Sequence, residues 1–330
     1  MKIINFIKEW VLIISILTGI AGYFLYTGIP ALNPTHHVVH EAVSMIQPVL
    51  IFVMLFLTFC RIDIRDLRLR RWHLWVLALQ AGFFLAIGCV VMSLPAGDLR
   101  VVLEGAMLCL VCPTATAGAV VTRKLGGNVN SISTYTILII ILVAMLIPAV
   151  VPFVHPKAGM GMLRSSLLIL GMVFPLLMLP LAAGMLMKHF FPRLTERISR
   201  YQDLSFYLWA LALALAIAVT VHSIMTAEIE LSTELGLVAV SFVCCLLQFW
   251  LGRKIGARYD ATITAGQSFG QKNTVLAIWM GYTFFTPVTA IVGGFYSIWH
   301  NVINSYQLYR HDHRHDIPQT GQGTEADKIV

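Results

Sequence analysis

Charged residues are scarce in this chain. Only 12% of its 330 residues are Asp, Glu, Lys or Arg, whereas 58% are hydrophobic, and the mean hydropathy is +0.80. A soluble domain carries roughly 25% charged residues, so the composition excludes a soluble protein and predicts an integral membrane protein. The six cysteines lie in apolar runs and form no metal-ligand pattern with histidine. They are predicted to be small packing residues, with no metal and no cofactor.

The excess of positive charge does not indicate a nucleic-acid partner. The chain has 23 Lys and Arg against 16 Asp and Glu, and nearly all of the basic residues lie in short loops between apolar runs. Basic residues in such loops mark the cytoplasmic side of a membrane protein. The charge therefore reports topology in a lipid bilayer, and nothing in the pattern requires an oligomer.

Apolar runs of about 20 residues recur along the chain and predict ten membrane-spanning helices. With the N-terminus in the cytoplasm, 19 basic residues fall inside, three fall outside, and Lys272 fits neither side. This bias predicts that both termini are cytoplasmic, in a plasma membrane of bacterial inner-membrane type. The runs centre near residues 20, 51, 84, 112, 142, 177, 213, 242, 274 and 298.

The ten predicted helices divide at the loop near residues 155–163. Residues 1–155 then form one five-helix repeat and residues 163–310 a second one, with residues 311–330 as a flexible cytoplasmic tail. Because five is odd, the second repeat enters the membrane from the opposite side, as in many secondary transporters. The predicted fold class is an all-α integral membrane protein with ten transmembrane helices in two inverted five-helix repeats.

The fourth helix of each half is predicted to be broken. It reads LCLVCPTATAGAVVTRK in the first half and TAGQSFGQKNTVLAIWMG in the second. Pro113 and Gly270 mark the two breaks, each among small polar residues at about half depth. Matched interruptions in the two halves of a transporter indicate the substrate site, so we expect helices 4 and 9 to cross there.

Three stretches resemble the bile acid:sodium symporter family. They read QPVLIFVMLFLTFCRIDIRDLR (47–68), CPTATAGAVVTRKLGGNVNSISTYT (112–136) and FGQKNTVLAIWMGYTFFTPVTAIVGGFYSIWHNVINS (269–305), in the family's order and spacing. The resemblance implies a panel and a core bundle that interleave helices of both repeats. It also implies transport of organic anions, coupled to two sodium ions bound behind the crossing.

The resemblance also places the family's sodium ligands, and most are replaced here. Where members have a Ser-Asn pair after the first break, this chain has Gly118 and Ala119. A Ser on the following helix corresponds to Ile132, although Thr136 one turn later is kept. The first crossing therefore lacks several of the oxygen atoms that sodium needs.

The second crossing departs further from the family pattern. Its acidic sodium ligand corresponds to Ser268, and the Gln beside the second sodium ion corresponds to Lys272, whereas a Gln on the third helix is retained as Gln80. Sodium is a hard cation that needs several oxygen ligands, so an added ammonium group and a lost carboxylate predict that sodium coupling is lost.

Lys272 has two interpretations at the centre of a spanning segment, where a lysine costs about 2.5–3.5 kcal/mol. In the first, its ammonium replaces the bound cation and holds the crossing together through carbonyls, Ser268, Thr136 and Gln80. In the second, it also attracts the substrate or releases its proton during the cycle, which makes the carrier proton-coupled. Loss of coupling, with uniport or exchange, is a third possibility.

Neutral hydrogen-bonding groups flank both breaks and suit a carboxylate or sulfonate. Thr114, Thr116, Gln271 and Asn273 are the candidates, and the N-termini of the half-helices favour an anion. No Asp or Glu lies at half depth to repel one.

Three polar residues outside the crossing are given supporting or surface roles. His300 and Asn301 lie in the family-like WHN of the last helix, where His300 is predicted to bond a neighbouring helix. Glu104 lies near the outer end of its helix and is predicted to be a solvated carboxylate.

The leading prediction is a secondary transporter of a small organic anion that works by alternating access, without enzyme activity. A cation/proton antiporter on a similar fold is disfavoured by the absence of a mid-membrane Asp. A sodium-coupled symporter with altered ion sites remains an alternative. A membrane enzyme or sensor is disfavoured because the sequence has no nucleophile–base pair, metal cluster or soluble output domain.

Overall fold

The computed structural model describes residues 2–156, 159–200, 202–226 and 230–313. Within these ranges the chain forms thirteen α-helices and two short 3-10 helices, and no β-strand. The last helix continues to Asp312, so the predicted tail from residue 314 onward lies outside the described residues.

The helices follow one another through short connections. In chain order they are α1 (Lys2–Thr27), α2 (His36–Arg61), α3 (Arg71–Ser93), α4 (Asp98–Val111), α5 (Gly118–Lys124), α6 (Val129–Val154), α7 (Met162–Phe190), α8 (Pro192–Arg200), α9 (Gln202–Thr226), α10 (Leu231–Ala257), α11 (Thr262–Gly270), α12 (Thr274–Phe284) and α13 (Pro287–Asp312).

Six of the described helices are long and apolar enough to cross a membrane. The qualifying segments are Glu41–Arg61, Arg71–Ser93, Val129–Val154, Met162–Phe190, Tyr207–Thr226 and Leu231–Ala257. Large apolar side chains such as Leu25, Leu163 and Leu167 are exposed on the surface, which is costly in water and suits a lipid environment. These features confirm the prediction of an all-helical, multi-pass membrane protein.

Both segments with predicted breaks are divided into two helices. α4 ends at Val111 and α5 begins at Gly118, because Pro113 has no N–H to continue the helix and disfavours helical backbone at the residue before it. In the second segment, α11 ends at Gly270 and Gln271 adopts an extended backbone before α12 begins.

Side-chain contacts join helix termini at one end of the molecule. Lys188 Nζ on α7 donates to Ile62 O after α2 at 3.0 Å, and Trp75 Nε1 on α3 donates to Tyr259 OH after α10 at 3.0 Å. The loops here hold most of the Lys and Arg, so we call this the basic end. It comprises residues 61–75, 123–128, 185–200 and 253–264.

Glu104 near the opposite end is not solvated, which corrects the sequence-based prediction. Its residue is 1% exposed, with Arg100 Nε at 3.1 Å and His155 Nε2 at 2.9 Å from Oε1. Thr289 Oγ1 on α13 donates to its Oε2 at 3.4 Å. The ends of α6 and α13 cover the carboxylate, and the guanidinium offsets part of its desolvation cost.

Candidate binding site at the crossing of two interrupted helices

The two breaks pair with each other through their backbones. Ala115 N donates to Gln271 O at 2.9 Å, and Asn273 N donates to Pro113 O at 2.9 Å. These bonds form an isolated antiparallel bridge between Thr114 and Lys272. An interrupted helix frees N–H and C=O groups that an apolar interior cannot satisfy, and here each break supplies partners for the other.

Two side chains of the first break reinforce this pairing. Thr114 Oγ1 donates to Ser268 O in the last turn of α11 at 2.6 Å. Cys112 Sγ donates to Asn273 O at 2.9 Å. Thr114 therefore binds the protein's own backbone, and its contact with a substrate stays a prediction.

A Gln–Tyr pair holds the end of α4. Gln80 Nε2 on α3 donates to Val111 O at 3.1 Å and to Cys112 O at 3.0 Å. Tyr135 OH on α6 donates to Gln80 Oε1 at 2.9 Å, which orients the amide. Two of the carbonyls that the break leaves without helical partners are thereby satisfied.

A second Gln–Tyr pair holds the end of α11. Tyr296 OH on α13 donates to Gly270 O at 2.8 Å, and Gln248 Nε2 on α10 donates to Tyr296 OH at 3.1 Å. Sequence reasoning selected Gln80 but missed Tyr135, Gln248 and Tyr296. One sequence signal could have identified them. Each is an isolated polar or phenolic side chain in an apolar helix that precedes or follows a broken helix.

Lys272 lies at the C-terminal end of α4. It is 1% exposed, and its Nζ lies 3.5 Å from Leu110 O and 5.1 Å from the centroid of the Phe269 ring. The last turn of a helix carries partial negative charge and unpaired carbonyls. The ammonium is therefore stabilised by a helix end and a ring face, without a carboxylate partner among the described residues.

Among the described residues, the three side chains predicted to hold Lys272 make no hydrogen bond to it. Thr136 Oγ1 donates to Ile132 O of its own helix at 2.9 Å, and Gln80 holds the end of α4. Ser268 Oγ is buried with no hydrogen-bond partner among the described residues. The backbone pairing and the Gln–Tyr pairs hold the crossing together, and Lys272 adds its contact with Leu110 O.

Gln271 and Ser268 bring unpaired acceptor atoms to the crossing. Gln271 Oε1 is buried without a partner within the described part of the chain, and it faces Gly118, whose added Cβ would lie 3.5 Å from it. Unpaired buried polar atoms cost about 1–3 kcal/mol each, and such groups often mark a functional site. A residue larger than glycine at position 118 would come into contact with this atom.

The remaining predicted site residues at the breaks are Asn273, Thr116 and Gly270, and each makes different contacts. Asn273 Oδ1 accepts from Leu276 N at 3.2 Å and caps α12, and Thr116 is half-buried in the first break. Gly270 packs directly against the ring of Phe249, so a Cβ atom added at position 270 would lie 2.3 Å from that ring. Proximity of α10 to α11 therefore requires glycine at position 270.

His300 and Asn301 do not join the crossing. The His300 ring makes an edge contact with Tyr296 of its own helix, with centroids 5.8 Å apart. Asn301 Nδ2 donates to Ser297 O in the same helix at 2.7 Å. His300 Nδ1 has no partner within the described ranges, so the predicted bond to a neighbouring helix is not seen.

Comparison with known proteins identifies the family. The model of the Sodium Bile acid symporter family matches residues 48–229, which is more than half of the chain. A search of curated proteins found no match. The matched range contains the first break with Gln80 and Tyr135, and it ends before the second break. With several helices able to span a membrane and two breaks paired at a buried crossing, this chain belongs to the sodium bile acid symporter family and is a membrane transporter.

Proposed function

We propose that the protein transports a small organic anion, a carboxylate or a sulfonate, by alternating access and without sodium. The observation that carries this proposal is the position of Lys272. Its ammonium group lies 3.5 Å from Leu110 O at the C-terminal end of α4, where a broken helix presents its negative end to a cation. A fixed positive charge there takes the role of a bound cation.

Replaced ligands support the absence of sodium coupling. A sodium site needs several oxygen atoms, and the segments 112–124 and 262–284 contain no Asp or Glu. Ser268 stands where the resemblance places the acidic ligand, and Gly118 stands where it places a serine. Lys272 adds a positive charge in the same region, which repels a second cation.

The polar groups of the crossing support an anionic substrate. Asn273 uses its Oδ1 atom to cap α12, and in this proposal its Nδ2 group donates to a substrate oxygen. Thr116 and the amide nitrogen of Gln271 are the other donors at the breaks. These neutral donors, together with the charge of Lys272, favour a carboxylate or sulfonate group.

Two inverted repeats, residues 1–155 and 163–310, are part of the same proposal. The Gln–Tyr pairs support it, because Gln80 and Gln248 lie on the helix before each break, and Tyr135 and Tyr296 lie on the helix after it. Ten spans in two inverted repeats would place both pairs at corresponding positions. The basic end then faces the cytoplasm of a cell with a bacterial-type inner membrane.

Uptake into liposomes tests this function. Purified protein would be assayed with a panel of labelled carboxylates and sulfonates in sodium buffer and in choline buffer. We expect equal uptake in both. Lys272→Gln is expected to reduce uptake at least about tenfold, since it removes a transition-state charge contact of about 1.4 kcal/mol or more. Lys124→Gln, an exposed lysine on α5, is the matched control and keeps wild-type uptake.

Each outcome of this assay has a distinct meaning. Strict dependence on sodium would overturn the proposal and indicate a symporter with altered ion sites. Uptake that a proton gradient accelerates in the wild type but not in Lys272→Gln would identify Lys272 as the group that carries the proton. Unchanged uptake by Lys272→Gln would show that the lysine has no part in transport.

A further inference from the structure

A cavity of about 660 Å³ lies at the basic end, away from the crossing. Its walls come from the end of α2 and the following turn, the end of α7, α8, and the end of α5. Cavities of this size hold small ligands. The charged side chains that line it are Arg61, Arg65, Arg123, Lys188, Asp63 and Glu196.

The cavity is positively charged. Four cationic side chains face two carboxylates, which leaves a formal charge of +2 with His189 neutral. Asp63 and Lys188 form an ion pair with 3.3 Å between Oδ2 and Nζ. The Arg65 backbone N–H, at 3.0 Å from Oδ1, and the Lys188 ammonium hold the pKa of the Asp63 carboxyl below its usual range. This pair neutralises itself, so the net charge rests on three guanidinium groups and Glu196.

We propose that this cavity is a second anion site, which binds a phosphate group through Arg61, Arg65 and Arg123. Guanidinium groups bind phosphate oxygens in bidentate geometry, and the formal charge of +2 matches a phosphate dianion. The phosphate belongs either to a phospholipid headgroup or to a soluble phosphorylated compound. The cavity lies where α2 and α7 end, which is the depth of lipid headgroups if both helices span the bilayer.

The position of Arg123 links the proposed anion site to the crossing. Arg123 is the sixth residue of α5, which begins at Gly118 beside the crossing, whereas Arg61 and Arg65 lie at the end of α2. A phosphate group shared between them connects the half-helix of the crossing to α2. Bound phosphate therefore restrains any motion of α5 relative to α2. This inference does not depend on the transported substrate, because binding is measured directly.

Thermal unfolding in an uncharged detergent tests the soluble form of the ligand. Inorganic phosphate would be titrated at constant ionic strength made up with chloride, so that general screening stays fixed. We expect phosphate to raise the unfolding temperature of the wild type. Arg123→Gln and Arg65→Gln are expected to weaken phosphate binding about tenfold or more. Arg68→Gln, an exposed arginine of the same loop that does not line the cavity, keeps wild-type binding.

Nanodiscs test the lipid form. Discs of phosphatidylcholine alone would be compared with discs that also contain phosphatidic acid. Stabilisation by phosphatidic acid that Arg123→Gln abolishes and Arg68→Gln retains supports a lipid headgroup. Stabilisation by inorganic phosphate alone supports a soluble ligand. The proposal is overturned if neither probe stabilises the wild type, or if Arg123→Gln and Arg65→Gln both respond like Arg68→Gln. Neither result bears on the uptake assay, so the two proposals fail separately.

Discussion

The two breaks at the crossing solve the same backbone problem in different ways. The first spans residues 112–117 and contains a proline, whereas the second spans residues 271–273 and contains Lys272. At the first break, the glutamine of the Gln–Tyr pair binds the freed carbonyls. At the second break, the tyrosine does so. The chemistry of the partner is therefore exchangeable, provided that a buried donor reaches the carbonyl.

The two breaks differ more in packing density and in charge than in how their carbonyls are bound. An added Cβ at Gly118 would meet side-chain carbons of Ile132 and Thr114 at 3.2 Å, whereas one at Gly270 would lie 2.3 Å from the ring of Phe249. The second break is packed to contact and carries the only charged side chain of either break. The first break is looser and neutral. We infer that the second break is the more rigid side of the crossing.

Substituting alanine for Gly270 and for Gly118 should give the largest difference in stability between the two breaks. Gly270→Ala forces the Phe249 ring or α11 to move and is expected to cost about 3 kcal/mol, at the upper end for overpacking. Gly118→Ala is expected to change stability by less than about 1 kcal/mol, because side-chain ends can give way. Thermal unfolding in detergent measures both effects.

Two further variants control this comparison. Gly82→Ala on α3, where an added Cβ meets nothing within 4 Å, should be neutral or slightly stabilising. Phe249→Ala in the Gly270→Ala background should recover part of the loss through non-additivity. Equal stability of Gly270→Ala and Gly118→Ala would refute the difference in packing.

Removing the side chain that binds the freed carbonyls at each break should give a smaller difference in stability between the two breaks. Gln80→Leu deletes three hydrogen bonds of 2.9–3.1 Å and is expected to cost about 2 kcal/mol, at about 0.6 kcal/mol per bond in a membrane protein. Tyr296→Phe deletes the 2.8 Å bond to Gly270 O and the 3.1 Å bond from Gln248, for about 1 kcal/mol. Unfolding in mixed micelles compares the two variants.

The order of these two effects is the critical observation. A greater loss for Tyr296→Phe than for Gln80→Leu would mean that the second break depends more on its pair than the bond count indicates. Gln80→Met serves as a shape control, since it keeps the length of the side chain but removes the donor and the acceptor.

Substitutions of the two bridge residues, Lys272 and Thr114, should change stability in opposite directions and by the smallest amounts. Lys272→Met removes a buried ammonium that has no carboxylate partner, and it should raise stability by about 1 kcal/mol while abolishing uptake. Thr114→Val removes the 2.6 Å bond to Ser268 O and should lower stability by about 1 kcal/mol. A destabilised Lys272→Met protein would instead assign the lysine a structural role.

The sequence allowed prediction of the breaks but only part of their surroundings. Pro113 and the polar run around Lys272 stand out within apolar segments, because local chemistry there opposes a continuous helix. Glu104 was misjudged since its burial depends on α13, which lies far along the chain. The sequence predicted a carbonyl contact for Lys272 but not that Leu110 O provides it, because a sequence does not report which helix end a long side chain reaches.

The sequence by itself determined that the chain lies in a membrane, where its helices break, and that a charge sits at the second break. Composition and local backbone preference decide those features, and both can be read residue by residue. Only the tertiary structure decided that the breaks pair, that two Gln–Tyr pairs hold them, and that Lys272 reaches the end of α4. Those contacts join helices distant in sequence, and their geometry follows from how the helices pack.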